Sequence, residues 1–244
     1  MIEDHPPALA ARFRSLMAKV LNIPSLRFPV FLSLLIFFSG CFAGGGVYHT
    51  IHKGETLYRI SKTYNVDIQD VAELNNIKDP TEIKAGKRIF IPGARRVKKV
   101  KPYVPGSNEK EPEPEGKIVI EKDRFSWPVH GLIESPFGPR NGGRHDGIDI
   151  AAREGTPVKA AENGEAVYVS SSLRGYGNII ILKHKDDFYT VYAHNEKNLV
   201  KTGESVKKGE VIANVGSTGN ATGAHLHFEV RQGKTVRNPL FFLP

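Results

Sequence analysis

From Phe125 to the C-terminus the chain is written in short alternating runs, GEAVYVSS, NIIILKH, FYTVYAH, EVIANVG and HLHFEVR, parted by glycine turns. Period-two alternation over seven or eight residues is the signature of strands with one buried face, and no stretch here has the 3.6-residue apolar spacing of a convincing helix. The pattern predicts a mostly antiparallel, all-β domain over residues 124–244. In such a domain the polar residues placed on strands carry the information. In HLHFEVR, His225 and His227 share one face of the strand, and Leu226 and Phe228 share the other.

Two other segments offer partners for that pair. GRHDGIDIA supplies His145 and Asp149, and the alternation of Ile148 and Ile150 argues for an extended chain there. Fully extended, four residues span ~13 Å, whereas ligands of one metal lie within about 3–4 Å of each other. The chain must therefore bend between them, and Gly147 allows it. YAHN supplies His194, two residues after Tyr192 and expected to face the same way. Two histidines and a carboxylate with an open position match the plan of a catalytic zinc site; the same donors also suit iron(II).

The N-terminus gives an address. Arg12, Arg14, Lys19 and Arg27 precede an apolar stretch from Phe28 to Phe38. About 11 residues is too short to span a bilayer, which takes ~20, but suits the core of an export signal. Met17 is a second candidate start. The stretch ends in FSGC, similar to a bacterial lipobox, and Cys41 is the only cysteine, so no intramolecular disulfide forms. The expectation is an export signal over 1–43 and a lipid on Cys41, giving an outer-membrane lipoprotein that faces the periplasm. Export also favours zinc over iron(II). The net charge of +8 is spread along the chain, with no concentrated basic domain of the kind that binds nucleic acid.

Residues 46–93 read as a compact unit of strand, helix, helix and strand. YHTIHKG alternates into a turn glycine; Thr56 caps a helix with Leu57, Ile60 and Tyr64 in register; Asp67 caps a second with Ile68, Val71 and Leu74; KRIFIP closes with a strand. This βααβ pattern resembles the LysM module along its whole length. The resemblance implies binding to the glycan strands of peptidoglycan through a shallow groove formed by Gly54, Glu55, Thr56 and Leu57 and by Asn76 and Ile77. Residues 94–123, rich in Pro, Lys and Glu, read as a solvated tether that would reach at most ~90 Å.

His-x-x-x-Asp in HDGID, the lone histidine of YAHN, and HLH together resemble the M23 (LytM-type) zinc metallopeptidases over residues 124–242. The resemblance implies one Zn2+ per chain on His145, Asp149 and His227, with His194 and His225 as an unliganded catalytic pair. It further implies hydrolysis of peptidoglycan stem-peptide cross-links, between D-alanine and diaminopimelate or in glycine bridges. Glu229 shares strand parity with His227 and is a candidate support for it. An alternative from another class is a non-enzymatic activator of cell-wall amidases in cell division; a third is a glycan-binding scaffold. The complete set of five residues favours the enzyme.

Overall fold

The computed structural model describes residues 45–104, 118–140 and 143–244. The expected export signal and Cys41 lie outside them. Within them no helix is long and apolar enough to cross a membrane.

The N-terminal unit is the expected βααβ fold. Strand β1 (Gly46–Thr50) pairs antiparallel with β2 (Arg88–Pro92), Gly46 opposite Pro92 and Thr50 opposite Arg88. Helix α1 (Leu57–Tyr64) starts where Thr56 Oγ1 accepts the Arg59 N–H, and it stops at Asn65, whose left-handed φ of 55° turns the chain. Helix α2 (Ile68–Leu74) starts at Asp67, whose carboxylate accepts the Gln69 N–H. These side chains satisfy donors that a helix start leaves unpaired. The apolar stripes of both helices close on the strands, burying Leu57, Ile60, Val71, Ala72, Ile89 and Ile91. Each such leucine, isoleucine or valine contributes roughly 1.5–3 kcal/mol.

The stretch read as a solvated tether begins otherwise. Residues 94–104 have no regular structure, yet they run along the module. Lys98 N–H donates to the Tyr64 hydroxyl at 2.8 Å, Val100 is buried, and Tyr103 N–H donates to the Gly54 carbonyl at 2.6 Å. Val100 and Tyr103, the residues that dock this run, stand among lysines and prolines with no alternation to mark them.

The second unit is a ten-stranded antiparallel sheet with no α-helix among the described residues. Its strands are β3 (Ile133–Ser135), β6 (Ile148–Ala151), β7 (Pro157–Lys159), β8 (Gly164–Leu173), β9 (Gly177–Lys183), β10 (Phe188–Asn198), β11 (Ser205–Val206), β12 (Val211–Val215), β13 (His225–Gln232) and β14 (Thr235–Arg237). The main path runs β11-β8-β9-β10-β13-β6-β3, with β12 joining β10 to β7 and β14 beside β13. A separate hairpin, β4 (Gly138–Arg140) with β5 (Gly143–His145), stands next to it. Ile148, Ile150, Ile180, Leu182, Tyr192, Leu226, Phe228 and Val230 fill the core side of the sheet. The alternate residues of β6 and β13 are thereby turned to the opposite face, where the polar side chains collect.

Candidate metal centre

The centre is assembled from three strands and one hairpin. In the pairing of β6 with β13, Asp149 stands directly opposite His227, and facing residues of an antiparallel pair lie on one side of the sheet. His145 ends β5, and the chain then bends through Asp146 and Gly147 into β6. A Cβ on Gly147 would lie 2.3 Å from the Phe228 carbonyl oxygen, so the bend needs glycine for close approach of the backbone and not for an unusual φ. The bend shortens the expected ~13 Å to contact: His145 Nε2 is 3.1 Å from Asp149 Oδ1 and 3.1 Å from His227 Nδ1, and His227 Nδ1 is 2.8 Å from Asp149 Oδ1.

Hydrogen bonds behind the centre fix which nitrogens face it. His145 Nδ1–H donates to the Pro136 carbonyl at 2.9 Å, and His227 Nε2–H donates to Glu229 Oε1 at 3.0 Å. Each ring thereby turns its other nitrogen, Nε2 of His145 and Nδ1 of His227, toward the centre. Two imidazole lone pairs and a carboxylate oxygen meet with edges near the ~3.3 Å expected of ligands about 2 Å from a tetrahedral ion. Such convergence of acceptors requires a cation or a proton between them. The side chains of His145, Asp149 and His227 thus fit a zinc ion in donor type, spacing and support. The same convergence shows in the titration of the groups. Burial alone would lower His227, but bonds to the Asp149 and Glu229 carboxylates outweigh it and push it up to about 9. Burial alone would raise Asp149, but bonds from His145 and His227 hold it well below the usual carboxylate range.

Glu229 has the supporting position its strand parity suggested. It is fully buried, accepts from His227 and from the Tyr176 hydroxyl at 2.9 Å, and is paired with Arg231 at 2.6 Å. Burial would raise its carboxyl; Arg231 and His227 bring it down to about 2. Three contributors escaped the sequence reading. Arg231 was findable, because it continues the alternation His225, His227, Glu229. Tyr176 and Arg140 carry no local signal. Arg140 pairs with the outer oxygen of Asp149 at 2.9 Å and bonds Ser135, leaving Oδ1 for the centre.

His194 and His225 stand beside the ligands. His225 Nδ1–H donates to the Gly223 carbonyl at 2.9 Å, and its Nε2 lies 3.8 Å from Asp149 Oδ1. His194 Nδ1–H donates to the Thr218 carbonyl at 2.7 Å, and its ring centroid is 4.9 Å from that of His225 and 5.8 Å from that of His227. Burial, the main cause, shifts His194 below the usual histidine range. The expectation that His194 faces with Tyr192 is corrected. Tyr192 is fully buried against Phe228 on the core side, whereas His194 lines the cleft. The register of β10 slips between Tyr192 and Asn195, and His194 takes a left-handed φ of 63°. This bulge turns the histidine to the other face. A non-glycine residue held there costs of order 1 kcal/mol or more, the kind of strain that collects at functional sites.

The five residues line one cleft of about 490 Å3, with Arg140, Arg144, Tyr176 and Asn220 on its walls. The candidate glycan residues of the first unit hold places that its fold also needs. Thr56 caps α1, Leu57 and Ile77 are buried in the core, and Asn76 takes a φ of 49° in the turn after α2. Glu55 accepts from His49 Nε2 and from the His52 N–H, each at 2.8 Å. Gly54 gives its carbonyl to Tyr103.

Comparison with known proteins agrees with this architecture. Residues 143–239 match the model of peptidase family M23, and residues 49–92 match the LysM domain. The lipoprotein YgeR of Escherichia coli (strain K12) is 36% identical over 240 residues, covering 92% of this chain and 95% of YgeR. The lipoprotein NlpD/LppB homolog of Pseudomonas aeruginosa is 34% identical over 230 residues, covering 80% of this chain and 76% of that protein. The murein hydrolase activator NlpD of Escherichia coli is 47% identical over 121 residues, 49% of this chain and 31% of NlpD. The chain belongs to peptidase family M23, among the LysM-bearing bacterial envelope lipoproteins of the NlpD/LppB type.

Proposed function

We propose that the protein is a zinc-dependent endopeptidase, with one Zn2+ per chain, that hydrolyses peptide cross-links of peptidoglycan. The observation that carries this reading is the convergence of three ligand-type atoms within 3.1 Å, with two further histidines beside them. His145, Asp149 and His227 would hold the zinc, which as a Lewis acid would activate water and polarise the scissile carbonyl. Glu229 keeps Nε2 of His227 protonated, so that Nδ1 stays a donor to the ion. His194 and His225 each have Nδ1–H tied to a backbone carbonyl, which leaves Nε2 to take or give a proton. One supplies a hydrogen bond to the developing oxyanion, and one passes a proton to the leaving amine; each role typically contributes ~10²–10³-fold or more in rate.

The rest of the chain serves delivery. Residues 1–43 act as the export signal, and Cys41 carries the lipid that tethers the protein to the membrane. Residues 46–93 bind glycan strands through Gly54, Glu55, Thr56, Leu57, Asn76 and Ile77, and 124–244 form the peptidase. The test is digestion of purified muropeptides by the zinc-loaded protein, read by mass spectrometry. New peptide ends are expected from the wild type and none from His225→Ala.

One observation favours a second reading, activation of cell-wall amidases without cleavage. Its ground is the name of a relative, murein hydrolase activator NlpD, at 47% identity over 121 residues. If the wild type releases no peptide ends, while it and His225→Ala stimulate an envelope amidase equally, the second reading replaces the first.

A further inference from the structure

The two modules meet at a built contact behind the metal centre. On α2, Glu73 is 4% exposed, and its charge is met from the peptidase side. Arg237 Nη2 and Nε lie 2.7 and 2.8 Å from Oε1, and the Asn238 backbone N–H donates to Oε2 at 2.8 Å. The Asn238 side-chain amide donates to the Glu73 carbonyl at 2.9 Å. One turn earlier on α2, the Gln69 amide accepts from Val119 N–H at 2.7 Å and donates to Val119 O at 3.1 Å. A carboxylate this deeply buried is stable only with such complete pairing. Beyond it, Leu74, Phe90 and Pro92 line a crevice against Pro139 and Gly143.

The elements gripped are those that carry the metal ligands. Arg237 on β14 stands opposite Val230 of β13, the strand of His225 and His227. The Leu74 carbonyl closes on Gly138, where a Cβ would lie 2.8 Å away and φ is +122°. Gly138 is in turn the cross-strand partner of His145. Helix α2 therefore bears on the hairpin that presents one ligand and on the ribbon that presents another.

We propose that α2 is a positioning element of the metal centre, with Glu73 as its positioning residue, and that LysM and peptidase modules form one cooperative unit. LysM is then a wall behind the catalytic hairpin as well as a wall-binding module. The metal part of this inference rests on the zinc reading; the cooperative unit does not.

Two measurements on the full chain, purified in detergent, test it. Calorimetry of the wild type should show one unfolding transition for both modules; two independent transitions would overturn the proposal. Zinc affinity is then read by competition with a chromogenic chelator. Glu73→Gln should bind zinc about 2- to 30-fold more weakly, the range for a residue that touches no ligand but lies in the packed path to it. In an Arg237→Met background the same substitution should add little, because the charge pair between the modules is already gone and only the Asn238 and Gln69 bonds remain. Glu82→Gln, on an exposed residue away from the contact, should change neither readout. A folded Glu73→Gln protein with wild-type zinc affinity would refute the positioning role. Should that variant not fold, the wild-type transition decides alone. A wild type that binds no zinc would sink the proposed enzyme while the calorimetry still judged the docking.

Discussion

Asp149 and His227 face each other across β6 and β13, with Oδ1 and Nδ1 2.8 Å apart. At that distance two acceptors repel unless something positive lies between them. Without a metal a proton on His227 would fill that place; with one, zinc would.

Zinc and this proton compete. With His227 at about 9, the ring is protonated at pH 7, so zinc binding should release about one proton per ion. Calorimetric titration in two buffers of different ionisation enthalpy measures the number. Binding with no proton release would show that His227 is neutral beforehand.

The same shift sets the stability of the metal-free protein. Folding raises His227 from 6.5 to about 9, so its protonated form stabilises the fold fully below about pH 6.5. That contribution, on the order of 3 kcal/mol for such a shift, should fade as pH rises through 9. Chemical denaturation of chelator-treated protein should show the decline between pH 6.5 and 9, and the zinc-loaded protein should not.

The two histidines of HLH should separate cleanly. His227→Ala should lose both zinc and cleavage. His225→Ala should keep zinc and lose cleavage by ~10²–10⁴-fold, because only a proton-transfer group has gone. Equal zinc loss in both variants would make His225 a ligand.

Glu229→Gln removes the charge that both His227 and Arg231 bond. Zinc affinity should fall 10–100-fold. Stability should fall by about 3–5 kcal/mol, since the buried Arg231 loses its partner. Retained affinity, with only the stability loss, would reduce Glu229 to an ion-pair partner.

Gly147→Ala places a methyl 2.3 Å from the Phe228 carbonyl. The strand must shift to admit it, at about 1–3 kcal/mol, and the shift separates Asp149 from His227. Lower melting together with weaker zinc binding is expected; a neutral substitution would mean that the bend is pliable.

The sequence by itself determined the longer strands, the two helices and most of the chemistry. Alternation fixed the strands and put His225, His227 and Glu229 on one face, because in a strand the side-chain direction is set by parity alone. Capping residues and apolar spacing placed α1 and α2, since Thr56 and Asp67 act within one turn. The resemblance of the motifs named the five residues that the fold then gathered. What parity could not reveal was where it breaks. His194 reaches the cleft only because the pairing of β10 with β9 slips after Tyr192, and nothing in the local alternation marks that slip. Tyr176 at Glu229 and Glu73 at Arg237 are long-range contacts. Glu73 reads locally as one more polar residue of a short helix, and only the docking of α2 beside Arg237, 164 residues later, makes it a buried charge. Local periodicity records which face a side chain takes; the partner waiting on that face is decided when separated segments pack and must satisfy each other's charges and hydrogen bonds away from water.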